Sequence, residues 1–73
     1  MEFTNETRDS VFAAAGRCRS TRKRVILDDP LEGRPAVEAA FAGWRAEWGD
    51  DATVELRFTA TGLPVFDCVA PKS

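Results

Sequence analysis

A chain of 73 residues with 44% hydrophobic and 30% charged side chains makes one small globular domain, too apolar to remain unfolded. The net charge of −2 weighs against a surface built mainly for phosphates, and no run approaches the ~20 apolar residues needed to span a bilayer. Histidine and tyrosine are both missing, so the usual general base and the commonest metal ligand are not to hand.

Such a chain buries only about 60% of the surface its unfolded form exposes. The core is then expected to leave a margin of roughly 3–5 kcal/mol. The opening residues, MEFTNETRDS, are polar and acidic and do not read as a signal peptide. The expectation is a soluble, cytoplasmic protein with no membrane contact.

Residues 4–18 predict a first helix. Thr4 or Asn5 can cap it, and Glu6 and Asp9 favour the positive end of its dipole. Val11, Ala14, Ala15 and Cys18 share one side with Phe12 at the edge, and Gly16 is a place where the helix can end. Phe3 offers an alternative, a short strand at the start. The basic run Arg17, Arg19, Arg22, Lys23 and Arg24 comes next and leads into Val25-Ile26-Leu27, a short strand. Asp28, Asp29, Pro30, Glu32 and Gly33 then carry turn chemistry.

Residues 35–48 predict the best-specified helix. Val37, Ala40, Phe41, Trp44 and Trp48 fall within about 100° of arc, the stripe of a helix laid on a core. Pro35 suits its first turn, and Gly49 its C-terminal cap. Ala39, Ala42, Gly43 and Ala46 form a strip of small side chains on the back. That strip is either a solvent face made of good helix formers or a surface covered by the first helix or a second chain.

Residues 53–59 alternate without a fault, with Val54, Leu56 and Phe58 facing the core and Thr53, Glu55, Arg57 and Thr59 facing water. A loop at 60–64 returns the chain into a strand over 65–70. A two-residue turn would place Asp67 on the core face. A loop of three or five residues centred on Gly62 places Phe66 opposite Phe58, Cys68 opposite Leu56, and Asp67 opposite Arg57 in water. The cost of a buried carboxylate selects the longer loop. Val65 and Val69 are then apolar positions on the wet face of what can be an edge strand.

The fold class expected is α+β in the order α-β-α-β-β, with two helices on one face of a small, largely antiparallel sheet. The expected core is Val11, Phe12, Ala15, Val25, Leu27, Val37, Phe41, Trp44, Val54, Leu56, Phe58, Phe66 and Cys68. Cys18 and Cys68, with no secretory signature, read as reduced and buried, with a bridge between the chain ends as the alternative.

No nucleophile–base arrangement, phosphate loop or zinc-type spacing occurs, so no enzyme activity, metal or cofactor is expected. The acidic groups Asp28, Asp29 and Glu32, and Glu47, Asp50 and Asp51, lack the alternating spacing of a calcium loop. The leading expectation is a non-enzymatic protein-binding module or inhibitor that occupies a surface of a larger protein or protein–nucleic-acid complex. Antitoxins, accessory factors and phage-encoded inhibitors of host defence share this size and chemistry, an analogy only. Its expected contacts are Trp48, Asp28, Asp29, Glu32, Glu47, Asp50 and Asp51. The alternative is a regulator holding nucleic-acid phosphates through Arg17, Arg19, Arg22, Lys23 and Arg24. A homodimer is a third possibility.

Overall fold

The computed structural model describes residues 5–28, 30–49 and 53–69. Two helices, α1 (Asn5–Thr21) and α2 (Arg34–Trp48), lie on one face of a three-stranded antiparallel sheet of β1 (Val25–Ile26), β2 (Val54–Phe58) and β3 (Pro64–Cys68). The order along the chain is the expected α-β-α-β-β. Across the sheet it is β1-β3-β2, so β3 is central and β2 is an edge. Val65 therefore lies in the middle strand and is buried, at 7% exposure, rather than in water on an edge, whereas Val69, just past the end of β3, is exposed. Since β1 and β2 both run against β3, α2 connects two parallel strands that have a third between them.

α1 runs through Gly16, where nothing lies within 4 Å of a added Cβ, and extends to Thr21. It stops when Arg22 enters the left-handed region at φ 58° and donates its N–H to the Cys18 carbonyl at 2.7 Å. α2 begins one residue before Pro35 and ends as its sequence implies. Gly49 takes φ 74°, and its N–H returns to the Arg45 carbonyl. The contact of Arg19 with Trp48 joins the C-terminal ends of the helices, while Thr7, Ser10 and Val37 meet near the N-terminal ends. The two helices therefore run the same way.

The hairpin keeps an odd loop but not the expected partners. Leu56 pairs with Phe66, Val54 with Cys68, Glu55 with Asp67, and Phe58 with Pro64. This register is two residues from the expected one, so every side chain keeps its predicted face while its neighbour changes. The reason is the turn itself. The loop Ala60-Thr61-Gly62 is centred on Thr61, with Gly62 at φ 89° as its last residue and its N–H on the Thr59 carbonyl. Pro64 opens β3 opposite Phe58, where no hydrogen bond toward β2 is lost.

The fully buried core is Val11, Ala14, Ala15, Cys18, Val37, Ala40, Phe41, Trp44, Val54 and Phe66, with Phe12, Val25, Leu27, Leu56, Phe58 and Cys68 packed against it. Phe41 links the helix layer to the sheet, with its ring 5.7 Å from both Trp44 and Phe66. The expectation of two free thiols is not met. Cys18 and Cys68 form a disulfide, because the last turns of α1 lie beneath the end of β3 and bring their Cα atoms to 5.7 Å. The long separation in sequence conceals that proximity. On the back of α2, Ala39, Ala42 and Ala46 are exposed. At the Gly43 flank the Phe12 ring of α1 comes close.

Candidate functional site

Trp48 lies on the same helical stripe as Trp44, but the two indoles have different fates. Trp44 is 1% exposed, whereas Trp48, one turn later, is 46% exposed because the stripe runs past the end of the core. The rings sit 6.3 Å apart, so the buried indole supports the exposed one from beneath. The Arg19 guanidinium lies over the same ring, 4.3 Å from its centre. The exposed indole is thus in contact with both an apolar ring and a cation, the latter a cation–π contact. Sequence reasoning missed Arg19 as a companion of Trp48. Nothing in the spacing of residues 19 and 48 indicates it, and only the parallel course of the helices does.

The predicted partner-binding residues do not form one patch. Asp28 and Glu32 precede α2 and Glu47 and Trp48 end it, so the length of this 15-residue helix, about 22 Å, lies between them. Asp29, Asp50 and Asp51 lie outside the described residues. Among the described residues, no three carboxylate or thiol groups converge as a metal site would require.

The basic run also divides. Arg24 leaves it for the sheet's outer face, where its Nε lies 2.5 Å from Asp67 Oδ1. Arg57 approaches the other oxygen of Asp67 at 3.4 Å and reaches Glu55 at 3.1 Å. Arg57 sits diagonally from Asp67 rather than opposite it, within reach of a long side chain. Arg24 therefore serves the fold. Arg17, Arg22 and Lys23 remain exposed around the C-terminal end of α1, with Arg17 two positions from Arg19 and so on another side of the helix.

Among the described residues, two hollows lie against this frame. One, of about 90 Å³, is lined by Thr7, Ser10, Val11, Leu27, Asp28 and Leu31 among others. It is well below the roughly 300 Å³ at which small-molecule sites begin. The second is an open groove of about 470 Å³ between the flank of α2, with Glu38, Phe41, Ala42 and Arg45, and Glu55, Leu56 and Arg57 of β2. Here the Arg45 guanidinium donates to the Val54 carbonyl at 3.0 Å. Its open shape suits a segment of chain better than an enclosed metabolite.

These features define a small α+β domain with exposed aromatic and charged surface. Among its described residues, no helix is long and apolar enough to cross a membrane. Compared with known proteins, the chain matches no family model, and neither a curated protein nor a solved structure resembles it significantly.

Proposed function

We propose that this protein is a non-enzymatic protein-binding module that grips a larger macromolecular target with the end of its helix pair. The observation that carries the reading is the half-exposed Trp48, backed by buried Trp44 and stacked on Arg19. Trp and Arg are the residues most enriched among binding hot spots. A large side chain already held in place also loses little conformational entropy on binding. Glu47, exposed at the preceding position, gives this end of α2 mixed charge, which suits a protein partner more than a polyanion. The test is affinity capture on the immobilised protein, followed by titration of the isolated partner. Trp48→Ala is expected to weaken binding by at least about 30-fold. An unchanged affinity overturns the reading.

A second reading has one specific observation in its favour. The Arg19–Trp48 contact brings an aromatic ring onto the basic end, where a base can stack while Arg22 and Lys23, just past the helix, meet phosphates. Binding of a labelled oligonucleotide would then fall steeply with salt, and Arg22→Glu would flatten the slope. No binding at low salt removes it.

The disulfide bears on the compartment. A buried bridge between distant elements is ordinary in oxidising compartments and rare in the cytoplasm, against the cytoplasmic expectation. Alkylation of free thiols in freshly lysed cells reports the native state directly.

A further inference from the structure

The two edges of the sheet are treated differently. β1 ends its side after two residues, a length too short to template another strand. β2 has five residues and carries neither proline nor lysine, and no strand covers its outer side among the described residues. Its hydrogen-bonding phase follows from its neighbours. Thr59 donates to Leu63 and Val69 donates to Thr53, so the odd-numbered residues of β2 bond to β3. The N–H and C=O groups of Val54, Leu56 and Phe58 consequently point away from the sheet.

The sequence of this edge is complementary to itself. Leu56 is its centre, with Glu55 and Arg57 flanking it on the outer face, and Val54 and Phe58 beyond them on the core face. In an antiparallel pair of two β2 strands centred on Leu56, Glu55 of each copy stands opposite Arg57 of the other. Val54 stands opposite Phe58, and all three outward residues fall in hydrogen-bonded positions. A shift in one direction places Glu55 opposite Glu55, and a shift in the other places Arg57 opposite Arg57. Like charges directly opposed across strands are destabilising. One register is therefore selected.

We propose that the free edge of β2 is the docking surface for a second copy of this chain, which joins by antiparallel β2–β2 pairing about Leu56 to make a two-fold symmetric, six-stranded sheet. The contact is isologous, as two-fold dimers require. Leu56 is half-buried on the floor of the groove beside α2, and the second Leu56 adds apolar surface there. Ala42 on the groove wall is small enough to admit a neighbouring chain. The Val54 carbonyl, already accepting from Arg45, keeps a second lone pair for the partner strand. This surface is separate from Trp48, so either assignment can fail without the other.

The test is sedimentation equilibrium over a concentration series on the intact chain and three variants. The native protein is expected to reach the mass of two chains. Glu55→Arg and Arg57→Glu each turn two attractive cross-strand pairs repulsive at once, and each should weaken the dimer by at least about tenfold. The double variant Glu55→Arg/Arg57→Glu restores opposite charges and should restore the dimer. Glu55→Arg faces Asp67 within its own sheet, so it keeps the fold while changing the edge. A native chain that stays monomeric, single variants that dimerise as tightly as the native chain, or a double variant that does not recover would each overturn the proposal. So would a dimer that is lost in Trp48→Ala.

Discussion

Cys18 in α1 is bonded to Cys68, the last residue of β3, across 50 positions of sequence. Closing a loop of that length removes unfolded-state entropy equivalent to about 4 kcal/mol. The core of a domain this small is expected to leave only roughly 3–5 kcal/mol. Reduction is therefore predicted to remove most of the stability. Thermal unfolding followed by circular dichroism, with and without reductant, should show a large fall in Tm. Equal curves would mean that the bridge contributes little.

The two tryptophans should respond in opposite ways to truncation. Trp44 is enclosed by Phe41 and the rest of the core, and Trp44→Ala is predicted to cost about 3–5 kcal/mol, enough to unfold much of the protein. Trp48→Ala removes an indole that is already half in water, so a smaller loss of about 1–2 kcal/mol is expected. Chemical denaturation of both variants separates them. Similar losses would place Trp48 in the core.

Arg22 closes α1 at a positive φ, where a side chain costs roughly 1–2 kcal/mol. Glycine removes that strain but gives the unfolded chain more freedom. Arg22→Gly is expected to stabilise the protein by about 0.5–1 kcal/mol, read from the denaturation midpoint. Gly49→Ala should act in the opposite sense by a similar amount, since Gly49 needs φ 74° to cap α2.

Asp67 receives Arg24 and Arg57 on the outer face of the sheet. Both arginines are largely in water, so the network is worth little despite its short distances. Asp67→Asn is predicted to lower stability by about 0.5–1 kcal/mol at low salt and by less at high salt. A loss that is insensitive to salt would point to packing rather than charge.

Much of this fold is written in local pattern. The stripe of Val37, Phe41 and Trp44, the Pro35 start, the Gly49 cap and the alternation through Val54, Leu56 and Phe58 each carry their own physical reason. Of the residues expected in the core, Val11, Ala15, Val37, Phe41, Trp44, Val54 and Phe66 are buried in it, and Phe12, Val25, Leu27, Leu56, Phe58 and Cys68 are half-buried against it. Relations between distant elements were not legible. The hairpin register turned on whether Thr61 or Gly62 centres the loop, and both choices bury the same faces. That β1 pairs with β3 decides which strand is an edge, and no residue of β2 or β3 announces it. The bridge between Cys18 and Cys68 and the stacking of Arg19 on Trp48 depend on how the helices lie across the sheet. Of the expected site, Trp48 keeps its exposed position, while the acidic residues scatter to both ends of α2.

Acrylamide quenching of tryptophan fluorescence, with and without the captured partner, tests the binding role of Trp48 most directly. The free protein is predicted to show one shielded and one accessible indole, and the accessible one should become shielded when the partner saturates it. Two indoles quenched identically in the free protein, or an indole that stays fully accessible in the saturated complex, would contradict the account.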